Sequence, residues 1–233
     1  MPSTRTFAAE VTPQFDAFAR RWVESGSPVA EPRLAATVLL VRDTEHGVEV
    51  FMQRRAATMA FAASMVVFPG GRVDPADAQA PIDEAVVAAA LARLARPVEE
   101  VRGILGAAVR EVWEECGVRL TAAELRARAR WITPALEPRR YDTWFFAARM
   151  PEGQQAEGTT SETVDELWGR PADLLAAGVA GELRLMPPTI VSLEQLAQFA
   201  TVEEFLADEP PLTVIEPRLV ETDRGYVLES DLP

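Results

Sequence analysis

Arg110-Glu111-Val112-Trp113-Glu114-Glu115-Cys116-Gly117-Val118 is the run of sequence on which the reading of this chain turns. The residues from about Glu99 to Cys116 read as a helix that stops at Gly117, the place just past a last turn where glycine accepts a left-handed backbone. On that helix Glu111, Glu114 and Glu115 stand at i, i+3 and i+4, which puts three carboxylates on one face. Leu105, Val109, Val112, Trp113 and Cys116 form the opposite, core-facing stripe. A solvated acidic face is the ordinary reading of a Glu-rich helix, but two features count against it. Like charges at these spacings repel by a few tenths of a kcal/mol per pair. They also crowd the last turn, where the helix dipole is already negative and favours Lys or Arg. Two local rules broken in one turn mark a functional site, and a bound divalent cation is the simplest compensation.

Upstream lies a second informative run, Phe68-Pro69-Gly70-Gly71-Arg72-Val73-Asp74. Tandem glycines straight after the apolar stretch Ser64–Phe68 let the backbone turn sharply and let a ligand approach it. Alone this is only a turn; beside an acidic helix it reads as the second wall of a site.

The composition narrows the chemistry. Of 233 residues, 36 are Asp or Glu and 23 Lys or Arg, a net charge of −13 that disfavours nucleic-acid duplexes and anionic lipid surfaces. One cysteine, Cys116, excludes an internal disulfide, and one histidine, His46, excludes a multi-His zinc site. A metal here is therefore expected on oxygen ligands, as magnesium or manganese. His46 falls in a turn and reads as a solvated loop residue. No run approaches the roughly 18 apolar residues of a membrane span, and the N-terminal residues lack the apolar core of a secretory signal, so a cytoplasmic protein is expected.

The remaining sequence predicts α/β (α+β) architecture in one domain over 1–233. An N-terminal helix is expected at 12–25. Leu34–Val41 and Val48–Arg54 read as a hairpin, and helices are expected at Asp83–Ala95, at 171–177 and at 188–207 with Thr189 or Ser192 as caps. The segment Tyr141–Met150 is β-prone and reads as a central strand, Glu162–Arg170 as a further short strand, and the tail as two short strands around a turn.

Together the two runs resemble the signature of the Nudix hydrolases: Gly, five residues, Glu, seven residues, then Arg-Glu-apolar-x-Glu-Glu-x-Gly-apolar. The second half fits from Arg110 to Val118. In the first half Gly71 fits, with Asp77 at the position of the family's first Glu. Between Asp77 and Arg110 lie 32 residues where the family has seven, so 25 extra residues, a helical insertion at about 78–102, split the box. A strict count back from Arg110 puts Arg102 at the Glu position instead. The segment before the box resembles the coenzyme A diphosphatase-like branch, although Met59–Ser64 lacks that branch's extra Arg and Pro-Gly pair.

The resemblance implies a Nudix-type α/β/α sandwich with a mixed central sheet, here with the insertion, the added N-terminal helix and C-terminal helices and short strands over 180–233. It implies a metal-dependent hydrolase of a diphosphate linkage in a small nucleoside diphosphate derivative, such as coenzyme A, a dinucleotide or a nucleotide sugar. A non-catalytic nucleotide-binding or sensor module of the same fold is the competing expectation. Glu111, Glu114 and Glu115 are implied as ligands of Mg2+ or Mn2+, and Arg110, Glu114 and Glu115 as catalytic machinery. Glu162, six residues before Trp168, has the spacing of the family prototype's general base, and Glu166 is the alternative. Gly70, Gly71, Arg54 and Arg140 are the expected substrate contacts, the arginines because an acidic protein needs local positive charge for phosphates. No membrane or duplex partner is expected, and a homodimer stays open.

Overall fold

The computed structural model describes residues 3–7, 12–56, 64–158 and 163–233. In chain order the elements are β1 (Ser3–Thr6), α1 (Pro13–Ser25), β2 (Arg33–Thr44), β3 (Gly47–Arg55), β4 (Val66–Val67), β5 (Gly70–Arg72), α2 (Glu84–Leu94), α3 (Val98–Cys116) and β6 (Arg126–Ile132). There follow β7 (Tyr141–Arg149), β8 (Thr163–Gly169), α4 (Pro171–Val179), α5 (Pro187–Leu196), α6 (Val202–Ala207), β9 (Val214–Ile215), β10 (Arg218–Thr222) and β11 (Gly225–Leu232). Short 3-10 turns occupy Pro75–Gln79 and Ala122–Glu124.

An eight-stranded mixed sheet runs β4-β3-β2-β7-β6-β9, with β5 also paired to β2 and β8 to β3. β2 and β7 are parallel from Arg33↔Tyr141 to Val41↔Arg149, and the β2–β3 hairpin is antiparallel. The uninterrupted apolar run of β2 follows from this central position: a strand covered on both faces needs no polar alternation. Val38 and Leu40 pack with Trp144 and Phe146 against Val101, Ile104, Leu105 and Val112 of the α2–α3 side. Leu39 and Val41 face the other way, onto Leu174, Leu193, Leu196 and Phe205 of α4, α5 and α6. The result is the expected α/β/α sandwich, with a central mixed sheet between two helical layers.

The terminal regions build a second, three-stranded sheet, β1-β11-β10, with Ser3↔Leu232 through Thr6↔Glu229 in register. This pairing joins the two ends of the sequence and is invisible to local periodicity. Helix α1 starts at Pro13 because Thr12 Oγ1 accepts the Phe15 N–H at 3.1 Å, and it ends at left-handed Gly26. It packs on Leu228 and Leu136 through Ala19, so it belongs to this sheet.

Three local expectations are corrected. The helix expected over 188–207 is two, α5 and α6; Thr189 and Ser192 are buried inside α5, and Thr201 caps α6 through the Glu204 N–H. Gly70 and Gly71 do not form a turn but lie in β5, antiparallel to Ala36 and Thr37. Trp113 is 43% exposed instead of core-facing, with the Arg119 guanidinium over its ring at 4.0 Å. Among the described residues, no helix is long and apolar enough to cross a membrane.

Candidate active site

Helix α3 carries the acidic run in its last two turns and is seated by its apolar side, where Val112 and Cys116 are fully buried. Burial pushes the Cys116 thiol well above its ordinary value, so it is a packed small hydrophobe. Left-handed Gly117 ends the helix. Gln53, 2% exposed on β3, holds that end: its Nε2 donates to the Glu115 carbonyl in the last turn at 3.1 Å. Sequence reasoning missed Gln53; its signal was an amide on the same strand face as Phe51, at a position that alternation assigns to the core.

Arg110 organises the carboxylates. Its Nε and Nη2 donate to Asp77 Oδ1 and Oδ2 at 2.7 and 2.9 Å, in a two-pronged pair. Nη2 also donates to the Arg72 carbonyl at 2.9 Å, and Nη1 to Glu111 Oε1 and Glu114 Oε2 at 2.8 and 2.9 Å. A guanidinium has five N–H donors, and these five bonds engage all of them. Arg110 is thus a positioning group, with no donor left for substrate.

Asp77 is 5% exposed and 33 positions before its partner. It is oriented by the turn it sits in: the Asp74 N–H donates to Asp77 Oδ2, and the Asp77 N–H to the Asp74 carbonyl. The insertion therefore leaves the split box assembled: α2 and the first turns of α3 project between Asp77 and Arg110 while the two side chains meet. Arg102, the strict-count candidate, pairs with Glu84 inside the insertion.

The two glycines meet this face at closest approach. The Gly70 N–H donates to Glu115 Oε2 at 2.9 Å, and a Cβ on Gly71 would lie 2.4 Å from Glu111 Oε1. Desolvation raises the Glu111 carboxyl above its ordinary value, outweighing the lowering effect of Arg110. Glu114 is the open carboxylate, about half exposed. Glu111 and Glu114 thus stand side by side on one nitrogen, with Glu115 behind them on the glycine strand.

This is an all-oxygen donor set, the chemistry that magnesium and manganese take. Among the described residues no three His, Cys, Asp or Glu side chains are drawn together into a ready-made cage. Magnesium binds through one or two carboxylates with waters and substrate phosphates, so the donor set fits it without such a cage.

Other expected site residues go elsewhere. Arg140 is 6% exposed and donates to the carbonyls of Thr133 and Ala30 and to Glu216; it ties loops together, which corrects its assignment as a substrate contact. Arg54 alternates onto the Val50 and Met52 side of β3 and reaches Asp165 at 3.9 Å. Strand alternation decides this: Gln53 points at the box and Arg54 away from it. Glu166 pairs with Gln53 across β3 and β8, and its carboxylate accepts the Gly158 N–H, which brings it beside the end of α3. Glu162 lies outside the described residues. His46 is exposed beside Glu45. It lines a hollow of about 610 Å³ with Glu49, Trp168, Arg170 and Asp173; no box residue lines that hollow, and its charged groups pair locally, Arg170 with Asp173 and Glu49 with Arg42.

Known proteins are similar to this chain in sequence and fold. The chain is 28% identical to the Caenorhabditis elegans protein described as "Putative nudix hydrolase 7" over 196 residues, 74% of this chain and 63% of that protein. The chain thus spans less than two thirds of that curated relative's length. The crystal structure of a Nudix hydrolase from Alicyclobacillus acidocaldarius superposes with a TM-score of 0.65 at 23% identity, over 79% of this chain and 99% of that one. No family model matches the chain. In its reassembled box, its sandwich fold and its curated relative, the chain is similar to the Nudix hydrolase superfamily.

Proposed function

We propose that this chain hydrolyses a diphosphate linkage in a nucleoside diphosphate derivative, such as coenzyme A, a dinucleotide or a nucleotide sugar, with Mg2+ or Mn2+ on Glu111, Glu114 and Glu115. The observation that carries the reading is Arg110 holding Asp77, Glu111 and Glu114 on one guanidinium, across a 25-residue insertion. The relative named above, itself a nudix hydrolase by description, supports it.

A bound divalent cation supplies charge neutralisation of the diphosphate and activation of water. The protein's own share is geometric. Gln53 and the Gly70 N–H hold Glu115, Arg110 holds Glu111 and Glu114, and Gly71 leaves room for the Glu111 carboxylate. Glu162, with Glu166 as the alternative, is the acid we assign to accept a proton from the attacking water; the Glu166 carboxylate accepts the Gly158 N–H.

The test is phosphate release, coupled to pyrophosphatase and phosphatase, on a panel of dinucleotides, coenzyme A, nucleotide sugars and nucleoside triphosphates. Turnover on one class should fall by about a hundredfold in Glu114→Gln, as for loss of a metal ligand. Comparing Glu166→Gln with Glu162→Gln identifies the proton acceptor by which variant loses the larger factor. No metal-dependent turnover in the unaltered protein, with nucleotide still raising its Tm, would replace the hydrolase reading with a binding module.

A further inference from the structure

Helix α3 lies against the segment from Val73 to Asp77 through two glycines. A Cβ on Gly106 would stand 2.4 Å from the Asp77 carbonyl oxygen and 3.0 Å from its carbon; one on Gly103 would stand 2.9 Å from Val73 Cγ1. Gly103, Gly106 and Arg110 fall at i, i+3 and i+7, on one face of the helix. The same residue, Asp77, is thus touched twice by α3. Gly106 sets how close its backbone comes, and Arg110, one turn later, takes both oxygens of its side chain. Beyond Asp77, the Arg110 guanidinium reaches Glu111 and Glu114.

We propose that the stretch of α3 just before Arg110 is a positioning element for the carboxylates. Gly106, with Gly103 beside it, sets the spacing between α3 and the Asp77 turn, and that spacing fixes where Arg110 holds Glu111 and Glu114. Neither glycine touches metal or substrate. Both act through Val73, Asp77 and Arg110, so this stretch of α3 tunes cation affinity without touching the cation. The inference rests on the functional reading above, since it takes those glutamates as metal ligands.

The steric contacts supply the test. The obstacle to Gly106→Ala is backbone, which no side-chain movement relieves, whereas the obstacle to Gly103→Ala is one methyl group of Val73, which Val73→Ala removes. Alanine favours a helix interior over glycine, so neither substitution weakens α3 by propensity. Mn2+ binding is measured by titration calorimetry or electron paramagnetic resonance on the full chain without substrate. Gly106→Ala and Gly103→Ala should each weaken Mn2+ binding by roughly tenfold or more, the scale seen for residues behind metal ligands. Gly103→Ala combined with Val73→Ala should recover most of the loss. Mn2+ binding unchanged in the glycine variants, or a loss in Gly103→Ala that Val73→Ala fails to recover, overturns the proposal. Should Gly106→Ala fail to fold, the Gly103 and Val73 variants decide alone. Absence of Mn2+ binding in the unaltered chain would instead overturn the metal-dependent reading itself.

Discussion

Arg110 and Asp77 meet through two parallel hydrogen bonds of 2.7 and 2.9 Å although 32 residues separate them in sequence. Asp77 keeps only 4% of its side-chain exposure and Arg110 26%, so water screens the pair weakly. Asp77→Asn should therefore cost about 2–4 kcal/mol, because the guanidinium is left with donors facing an amide instead of a carboxylate. For a chain of this length that corresponds to a Tm lower by roughly 5–15 °C. Denaturant unfolding of the purified variant reads it directly; a cost under about 0.5 kcal/mol would show that the pair does not hold the box together.

The tandem glycines should separate stability from activity. A Cβ on Gly71 meets the Glu111 carboxylate, the movable end of a side chain, whereas one on Gly70 meets the Ala36 carbonyl oxygen at 2.4 Å and the Thr37 backbone at 2.5 Å. Gly71→Ala is expected to lower turnover and Mn2+ affinity by roughly tenfold or more while costing about 1 kcal/mol or less. Gly70→Ala, with φ at +155° and backbone in the way, should cost more than about 1 kcal/mol in stability. Equal stability losses in the two variants would refute this division.

Arg140→Ala tests the corrected role of a buried arginine. Losing its bonds to Thr133, Ala30 and Glu216 should destabilise the chain by about 2–4 kcal/mol. KM of the folded fraction should stay within about twofold of the unaltered enzyme's, since no box carboxylate is among its partners. A tenfold rise in KM at unchanged stability would return Arg140 to the substrate site.

Asp43 predicts an acid-side loss of stability. Burial alone would push its carboxyl up, but the Val202 N–H at the start of α6, at 2.8 Å, and the Arg149 guanidinium outweigh that and hold it below the ordinary carboxylate value. A lowered folded-state value means that the stabilisation is complete above the unfolded-state value and disappears as pH falls through the folded one. Asp43→Asn should thus lose stability near neutral pH and match the unaltered chain well below the carboxylate range. A penalty that does not shrink with acid would mean that packing, not charge, is the cause.

Elements written in short-range pattern were readable from residues alone. The helix at 12–25 follows from Thr12, Pro13 and Gly26, the hairpin from alternation on either side of Arg42–Gly47, and the three-glutamate face from the 3.6-residue turn. Each depends on residues a few positions apart, where backbone geometry leaves little choice. Trp113 and the caps of α5 were misjudged for the converse reason: whether a helix face is covered, or where a helix begins after Met186-Pro187-Pro188, depends on what packs beside it.

The acidic helix and its all-oxygen chemistry were present in nine consecutive residues. Which residue fills the box's first Glu position was not, because a count forward from Gly71 gives Asp77 and a count back from Arg110 gives Arg102, and only their places in space distinguish them. The same holds for Gln53 under Glu115, for the opposite directions of Gln53 and Arg54, and for Arg140 locked among loops. Such contacts join residues tens to over a hundred positions apart. They are set by how two helical layers close on one sheet, and a linear pattern carries no measure of that distance.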